Sequence, residues 1–288
     1  MRNHRGFTLV EILISLIIMG MVTGSIYTLL NTTQRVSRQQ SEKTELQSNI
    51  RAGAIIVPAE LREINVVTGG GLPKNDIINM SPTSIRYRAM RGLGFACQAP
   101  TTTEIRLLRS TFSGYRDPVA NRDSAYVFLE GADADHSTDD SWLAVPITGV
   151  ATGNVCPGGV AGITLTINPA VALLAGAGIR APVRTWEVMA LQLYVSADGQ
   201  SWLGARSVST AGETMQPVLG PLTNADGFGL TYLDSTGVAT VATDKVRSIQ
   251  VTIKGLTDQA ITQGTSSHGL ANMRDSLVTQ VTLRNALR

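Results

Sequence analysis

The chain has 288 residues, enough for one or two globular units whose core needs no metal or staple. Only 16% of residues are charged, and 24 basic against 22 acidic residues leave a formal +2, so there is no global basic field of the kind a nucleic-acid binder shows. The 28 glycines, with many Thr, Ser and Val, favour short strands and turns over a helix bundle.

Met1 to Gly6 is polar and carries Arg2 and Arg5, whereas Phe7 to Leu30 is almost wholly apolar. At about 1.5 Å per residue the apolar run spans roughly 36 Å, enough to cross a bilayer. Basic residues precede it, so the positive-inside rule puts Met1 in the cytoplasm and everything after Leu30 across the membrane. One residue, Glu11, breaks the run. A carboxylate there is costly unless it reaches the headgroups or finds a positive partner. If the chain is cut after Gly6, Phe7 carries a new α-amine about one helical turn from Glu11, and the carboxylate can neutralise that amine or a neighbour's.

The segment Gly6-Phe7-Thr8-Leu9-Val10-Glu11 resembles the type III signal of type IV pilins and type II secretion pseudopilins. The likeness lies in a short basic leader, Gly before the cut, Phe after it, and Glu as fifth mature residue at the start of an apolar helix. It implies cleavage by prepilin peptidase between Gly6 and Phe7, methylation of the Phe7 amine, and a role for Glu11 in docking the subunit into a filament. Loss of leader residues 1–6 removes Arg2 and Arg5 and takes the formal charge from +2 to 0. An ordinary secretory signal fits poorly, because its shorter apolar region would be removed. Gly20 and Gly24 form a GxxxG step, which either lets membrane helices approach closely or is ordinary membrane-helix glycine.

Residues 31–64 are more polar but keep a helical rhythm, with Leu46, Ile50, Ala54, Val57, Leu61 and Ile64 forming one apolar stripe. One long helix is expected, its first half (7–30) in the membrane and its second half packed on a sheet. Pro58 should kink or break it, and Thr68-Gly69-Gly70-Gly71 should end it. The remainder, 72–288, reads as a β-rich head. Strands are expected at 84–90, 104–109, 124–129, 162–167, 185–195, 202–208, 229–233, 238–242, 246–253 and 277–283, with Ser196-Ala197-Asp198-Gly199-Gln200 as a hairpin turn. Residues 117–160 read largely as an elaborated loop region. The fold class is therefore α+β and type IV pilin-like: a long N-terminal helix packed on an antiparallel β-sheet head. The order of Gly227 to Gly237, Lys245 to Ile253 and Val281 to Asn285 is similar to the larger minor pilins of the PilW type and to J-type pseudopilins.

Cys97 and Cys156 are the only cysteines and form no CxxC pair. In an oxidising compartment they are the one possible intramolecular bridge, as many pilin heads carry; two free or buried thiols are the other reading. Asp133 to Asp140 lacks the glycine and glutamate of an EF-hand loop and reads as a solvated acidic loop. No GxSxG or GK[ST] motif occurs, and Gly264-Thr265-Ser266-Ser267-His268-Gly269 puts a Ser near a His with no third partner. Trp142, Trp186 and Trp202 read as core or sheet-face aromatics. Arg86, Arg88 and Arg91 lie close together, as a solvated strand face or the start of a basic stripe.

These features point to a non-enzymatic filament subunit without cofactor or metal, anchored in the inner membrane with a periplasmic head and incorporated into a pilus or pseudopilus. The expected partners are prepilin peptidase, other minor and major pilin subunits, the inner-membrane assembly platform and the membrane; nucleic acid is not among them. A minor pilin that primes or caps assembly is the first reading and a J-type pseudopilin the second. A filament-displayed adhesin or DNA-uptake receptor is the reading from another class.

Overall fold

A computed structural model of the chain describes residues 8–66, 75–132, 139–262 and 270–283. One helix, α1 (Leu9–Arg62), opens the chain. Among the described residues the strands that follow are β1 (Ile77–Ser81), β2 (Ser84–Phe95), β3 (Glu104–Leu108), β4 (Ser113–Gly114), β5 (Ser124–Leu129), β6 (Ser141–Pro146), β7 (Gly149–Cys156) and β8 (Val160–Thr166). The series continues with β9 (Pro182–Val195), β10 (Ser201–Ser207), β11 (Gln216–Leu222), β12 (Phe228–Leu233), β13 (Ser248–Leu256), β14 (Ile261–Thr262), β15 (Leu270–Ala271) and β16 (Arg274–Thr282). The architecture is the α+β arrangement expected of a type IV pilin-like chain: one long, initially apolar helix followed by a large antiparallel sheet.

The chain divides into two compact units, 1–48 with 256–274, and 49–255 with 275–288. In the first unit α1 is long and apolar enough to cross a membrane, and none of that apolar window is buried by protein. Five of its hydroxyl side chains bond back to the helix itself. Ser15, Ser25, Thr28, Thr32 and Thr33 each donate to the carbonyl four residues back, at 2.7–2.9 Å. Each polar group is thereby satisfied inside the helix, as a hydrocarbon setting requires. The short β14–β15 hairpin belongs to the same unit, where the Gln259 amide donates to Glu42 Oε2 at 3.3 Å.

The second unit is built on an eleven-stranded sheet with the path β1-β2-β9-β10-β11-β13-β12; β16 also pairs with β13, β4 with β2, and β5 bridges β9 and β6. The β2–β9 ladder is its spine, running from Ser84↔Gln192 to Phe95↔Pro182. Alternation along β2 turns Ile85, Tyr87 and Ala89 inward while Arg86 faces solvent. The part of α1 in this unit lays Val57 and Leu61 on these residues and on Leu203, Leu219, Phe228, Ile249, Val251 and Ile253. The apolar stripe is the reason: Leu46, Ile50, Val57, Leu61 and Ile64 are all buried. Gly53 sets the approach, since a Cβ there would stand 2.4 Å from Leu219 Cδ2.

A second core lies at the other end of the β2–β9 spine. The three-stranded sheet β3-β8-β7 supplies Ile105, Leu107, Ile163 and Leu165, which meet Ala125, Val127, Val145 and Val183. Cys97 and Cys156 are joined in a disulfide, with the Cα atoms 5.7 Å apart.

Four local expectations change. The helix runs through Pro58 to Arg62 without a break. Pro58 removes one amide near the last turn, and the buried neighbours Val57 and Leu61 hold the backbone in place. The helix end at Arg62 also precedes the glycine run at 69–71, which lies outside the described residues together with the rest of 67–74. Residues 117–160 are not mainly loop but hold β6 and β7 as well as β5. Residues 238–242 form no strand: Val238 and Val241 are exposed, and the chain turns around Asp234, whose carboxylate accepts from the Thr236 and Val238 amides.

Candidate assembly segment and the charged groups of the sheet unit

Helix α1 begins with a reciprocal cap. The Thr8 amide and hydroxyl donate to Glu11 Oε2 at 3.0 and 3.1 Å, and the Glu11 amide donates to Thr8 Oγ1 at 3.3 Å. This is a capping box, in which the residue before the helix and the third helical residue satisfy each other's orphan groups. It also puts the carboxylate at the positive end of the helix dipole. Glu11 therefore has a partner within the chain before any second subunit is present. The Thr-x-x-Glu spacing of this box is the sequence signal for it. Gly6 and Phe7, the expected cleavage pair, lie outside the described residues. Further along, an added Cβ at Gly20 or Gly24 would meet nothing within 4 Å, so the GxxxG step is open surface.

The sheet unit also holds a buried charge cluster that no local sequence pattern marks. Glu187 on β9 is 2% exposed. Its carboxylate takes Arg91 Nε at 2.5 Å, Arg122 Nε at 2.6 Å and Arg116 Nη2 at 3.2 Å. Arg116 also grips the buried Asp123 with its two terminal guanidinium nitrogens, at 2.5 and 2.7 Å. Arg91 reaches Glu60 on α1 at 3.2 Å, and the Tyr87 hydroxyl donates to the same Glu60 oxygen. Burial works against a charge on Glu187, but hydrogen bonds from Arg122 and Arg91 outweigh it and hold the carboxyl at about 2. Sequence could not show this, because the partners come from α1, β2, the 116–123 loop and β9.

Asp76, also 2% exposed, is the opposite case. Burial pushes its carboxyl up to about 6, against a backbone hydrogen bond from Asn65 and the charges of Arg88 and Arg184.

The remaining sequence candidates separate. Arg86, Arg88 and Arg91 do not make a basic stripe: Arg86 is exposed, Arg88 lies 5.2 Å over the Trp186 ring, and Arg91 is in the ion cluster. Trp186 stacks on Tyr126 at 5.2 Å and Trp142 meets Phe128 edge-on at 5.4 Å, so both act as sheet-face aromatics. In the acidic stretch, residues 133–138 are outside the described residues, as are 263–269 with the Ser–His pair. Among the described residues no cluster of three or more His, Cys, Asp or Glu could hold a metal ion.

No curated protein and no solved structure compared with the chain gave a match. Residues 1–27 match the family model described as the prokaryotic N-terminal methylation motif, the processing signal of type IV pilins and pseudopilins.

Proposed function

We propose that the chain is a minor pilin, a structural subunit that primes or caps a type IV pilus. One observation carries the reading: an apolar helix face left wholly uncovered by the chain is headed by a single capped carboxylate, inside a matched methylation motif. That motif implies processing by prepilin peptidase and assembly with other pilin subunits, and the apolar helix implies membrane anchoring. In the proposal, the leader 1–6 is cytoplasmic and is removed between Gly6 and Phe7, and the Phe7 amine is methylated. Residues 7–30 lie in the inner membrane until assembly, and the sheet unit is periplasmic. The second core, built on β3, β7 and β8, enlarges the sheet unit and supports a minor rather than a repeating major role.

The mechanism is an exchange of partners at Glu11. In the isolated chain the carboxylate is held by Thr8. During assembly it pairs instead with the mature amine of a neighbouring subunit, and a positive charge offers more than a neutral hydroxyl in a low-dielectric bundle. The uncovered face of α1 then packs against equivalent helices, with the open surface at Gly20 and Gly24 admitting close approach. The head-to-tail contacts do not close, so a filament results. Intact mass and N-terminal sequencing of the membrane-extracted protein test this. A chain beginning at N-methylated Phe7, and an uncut chain when the peptidase is deleted, are expected. Cleavage beyond Leu30, or an uncut Met1 in the presence of the peptidase, would overturn it.

A further inference from the structure

The sheet unit has a cavity of about 630 Å³ that the assembly role does not use. Its volume is within the range of small-ligand sites. Its walls include Asp76, Arg91, Tyr115, Tyr126, Trp142 and Arg184.

Tyr115 stands on one wall, and its placement is built rather than incidental. Gly114 pairs with Gly92, and a Cβ on Gly114 would meet Arg91 O, so only glycine lets β4 lie this close to β2. The Tyr115 amide then donates to Arg91 O at 2.8 Å. This fixes the backbone next to a ring that is 86% exposed, with the Arg91 guanidinium 5.8 Å from its centroid. Trp142 is the other ring, with Arg184 4.9 Å above it. Among the described residues Arg184 makes no ion pair, so its donors are available to a ligand. The Asp76 carboxyl lies in the same lining, with Oδ2 accepting from the Asn65 amide at 3.0 Å.

The charge balance narrows the ligand class. Arg91 and Arg184 are matched in the lining by Glu63 and Asp76, and Arg91 is already neutralised by Glu60 and Glu187. No surplus of positive charge is left for phosphates or a polyanion. The polar groups interleave with the rings, which does not suit a lipid tail. Flat rings beside a guanidinium donor and a carboxyl acceptor suit a ligand with an apolar C–H face and several hydroxyls.

We propose that this cavity is a binding site for a neutral saccharide, whose C–H face stacks on Tyr115 and whose hydroxyls bridge Arg184 and Asp76. The test uses the full chain in a zwitterionic detergent without sugar groups. Titration calorimetry and tryptophan fluorescence follow the addition of maltotriose, cellotriose and chitotriose. Saturable binding of at least one is expected. Tyr115→Ala and Arg184→Ala should each weaken it by about tenfold, the scale of one lost stacking or charge-assisted contact. Both side chains are exposed, so neither substitution should move the melting temperature, and Leu173→Ala, on an exposed side chain outside the cavity lining, should change nothing. The assignment is overturned if none of the three sugars binds, or if binding survives both substitutions unchanged. Binding of only a glucuronate-containing trisaccharide would likewise overturn it, by making charge the recognised feature.

Discussion

Two stretches of α1 use the same residue types for opposite ends. Between Leu46 and Ile64, the side chains of Leu46, Ile50, Val57, Leu61 and Ile64 form one buried stripe, while Ile55 and Ile56 face away from it and are exposed. From Leu9 to Leu30 the apolar side chains fall all round the helix and are exposed, Leu9 at 79% and Met21 at 69%. Burial of a Leu or Ile side chain is worth about 1.5–3 kcal/mol. The stretch from Leu9 to Leu30 therefore holds a large stabilisation that the chain does not collect by itself. The difference teaches where the partner is: inside the chain for the stripe, and outside it, in lipid or another subunit, for the uncovered run. Charges divide in the same way. Glu187 has three arginines from its own chain, whereas among the described residues Glu11 has the small cap at Thr8.

If that contrast is right, substitutions in the two regions separate folding from assembly. The largest loss is expected for Glu187→Gln, which leaves Arg91, Arg116 and Arg122 without their shared carboxylate; about 3–5 kcal/mol of unfolding free energy should disappear, measured by urea denaturation in detergent. Leu61→Ala, at a fully buried site, should cost about 2–5 kcal/mol in the same assay, whereas Ile17→Ala should leave it unchanged. Removing the Cys97–Cys156 bridge with the double Ser variant should cost about 2–4 kcal/mol; equal stability of reduced and oxidised protein would count against its role in the second core. The smallest change is Thr8→Ala, worth about 1 kcal/mol at the helix start and nothing in the sheet unit, read by amide exchange at residues 9–12.

The buried carboxyls give a pH signature confined to the sheet unit. Glu187 has a folded value of about 2, below the ordinary 4.5, so its contribution is present above pH 4.5 and is lost as the pH falls towards 2. Asp76, at about 6 against an ordinary 3.8, has the opposite sign: it weakens the fold as the pH rises from 3.8 through 6, and does so fully above that. Stability should therefore peak between pH 3.8 and 4.5, where the gain from Glu187 gives way to the loss from Asp76. Asp76→Asn, which keeps an acceptor for the Asn65 amide, should remove the fall between pH 4.5 and 7. A thermal-melt series across pH 3–8 checks both signs.

Much of this was legible in the sequence, and the failures share a cause. The stripe at Leu46 to Ile64 and the hairpin around Asp198 and Gly199 depend on local pattern, and both stand in the structure. β7 was missed because Gly149 to Val155 has no buried alternation; backbone bonds to β8 hold it. β11 carries Pro217 and Pro221, which argue against a strand until the bulged ladder with β10 is seen. Val238 and Val241 have strand composition but no sheet face to cover. The Glu187 cluster and the cavity beside Asp76 draw on residues far apart in the chain, and no single window contains them. The Thr8–Glu11 cap is different, since its Thr-x-x-Glu spacing lies within one short window and is readable from the sequence.

The uncovered run of α1 is the centre of the account, and a photo-crosslinking residue at Ile17 in the otherwise native chain tests it most directly. Mass spectrometry of the adducts should show lipid before processing and the N-terminal helices of other pilin subunits after it. Adducts to the chain's own sheet strands, in place of both, would contradict the account.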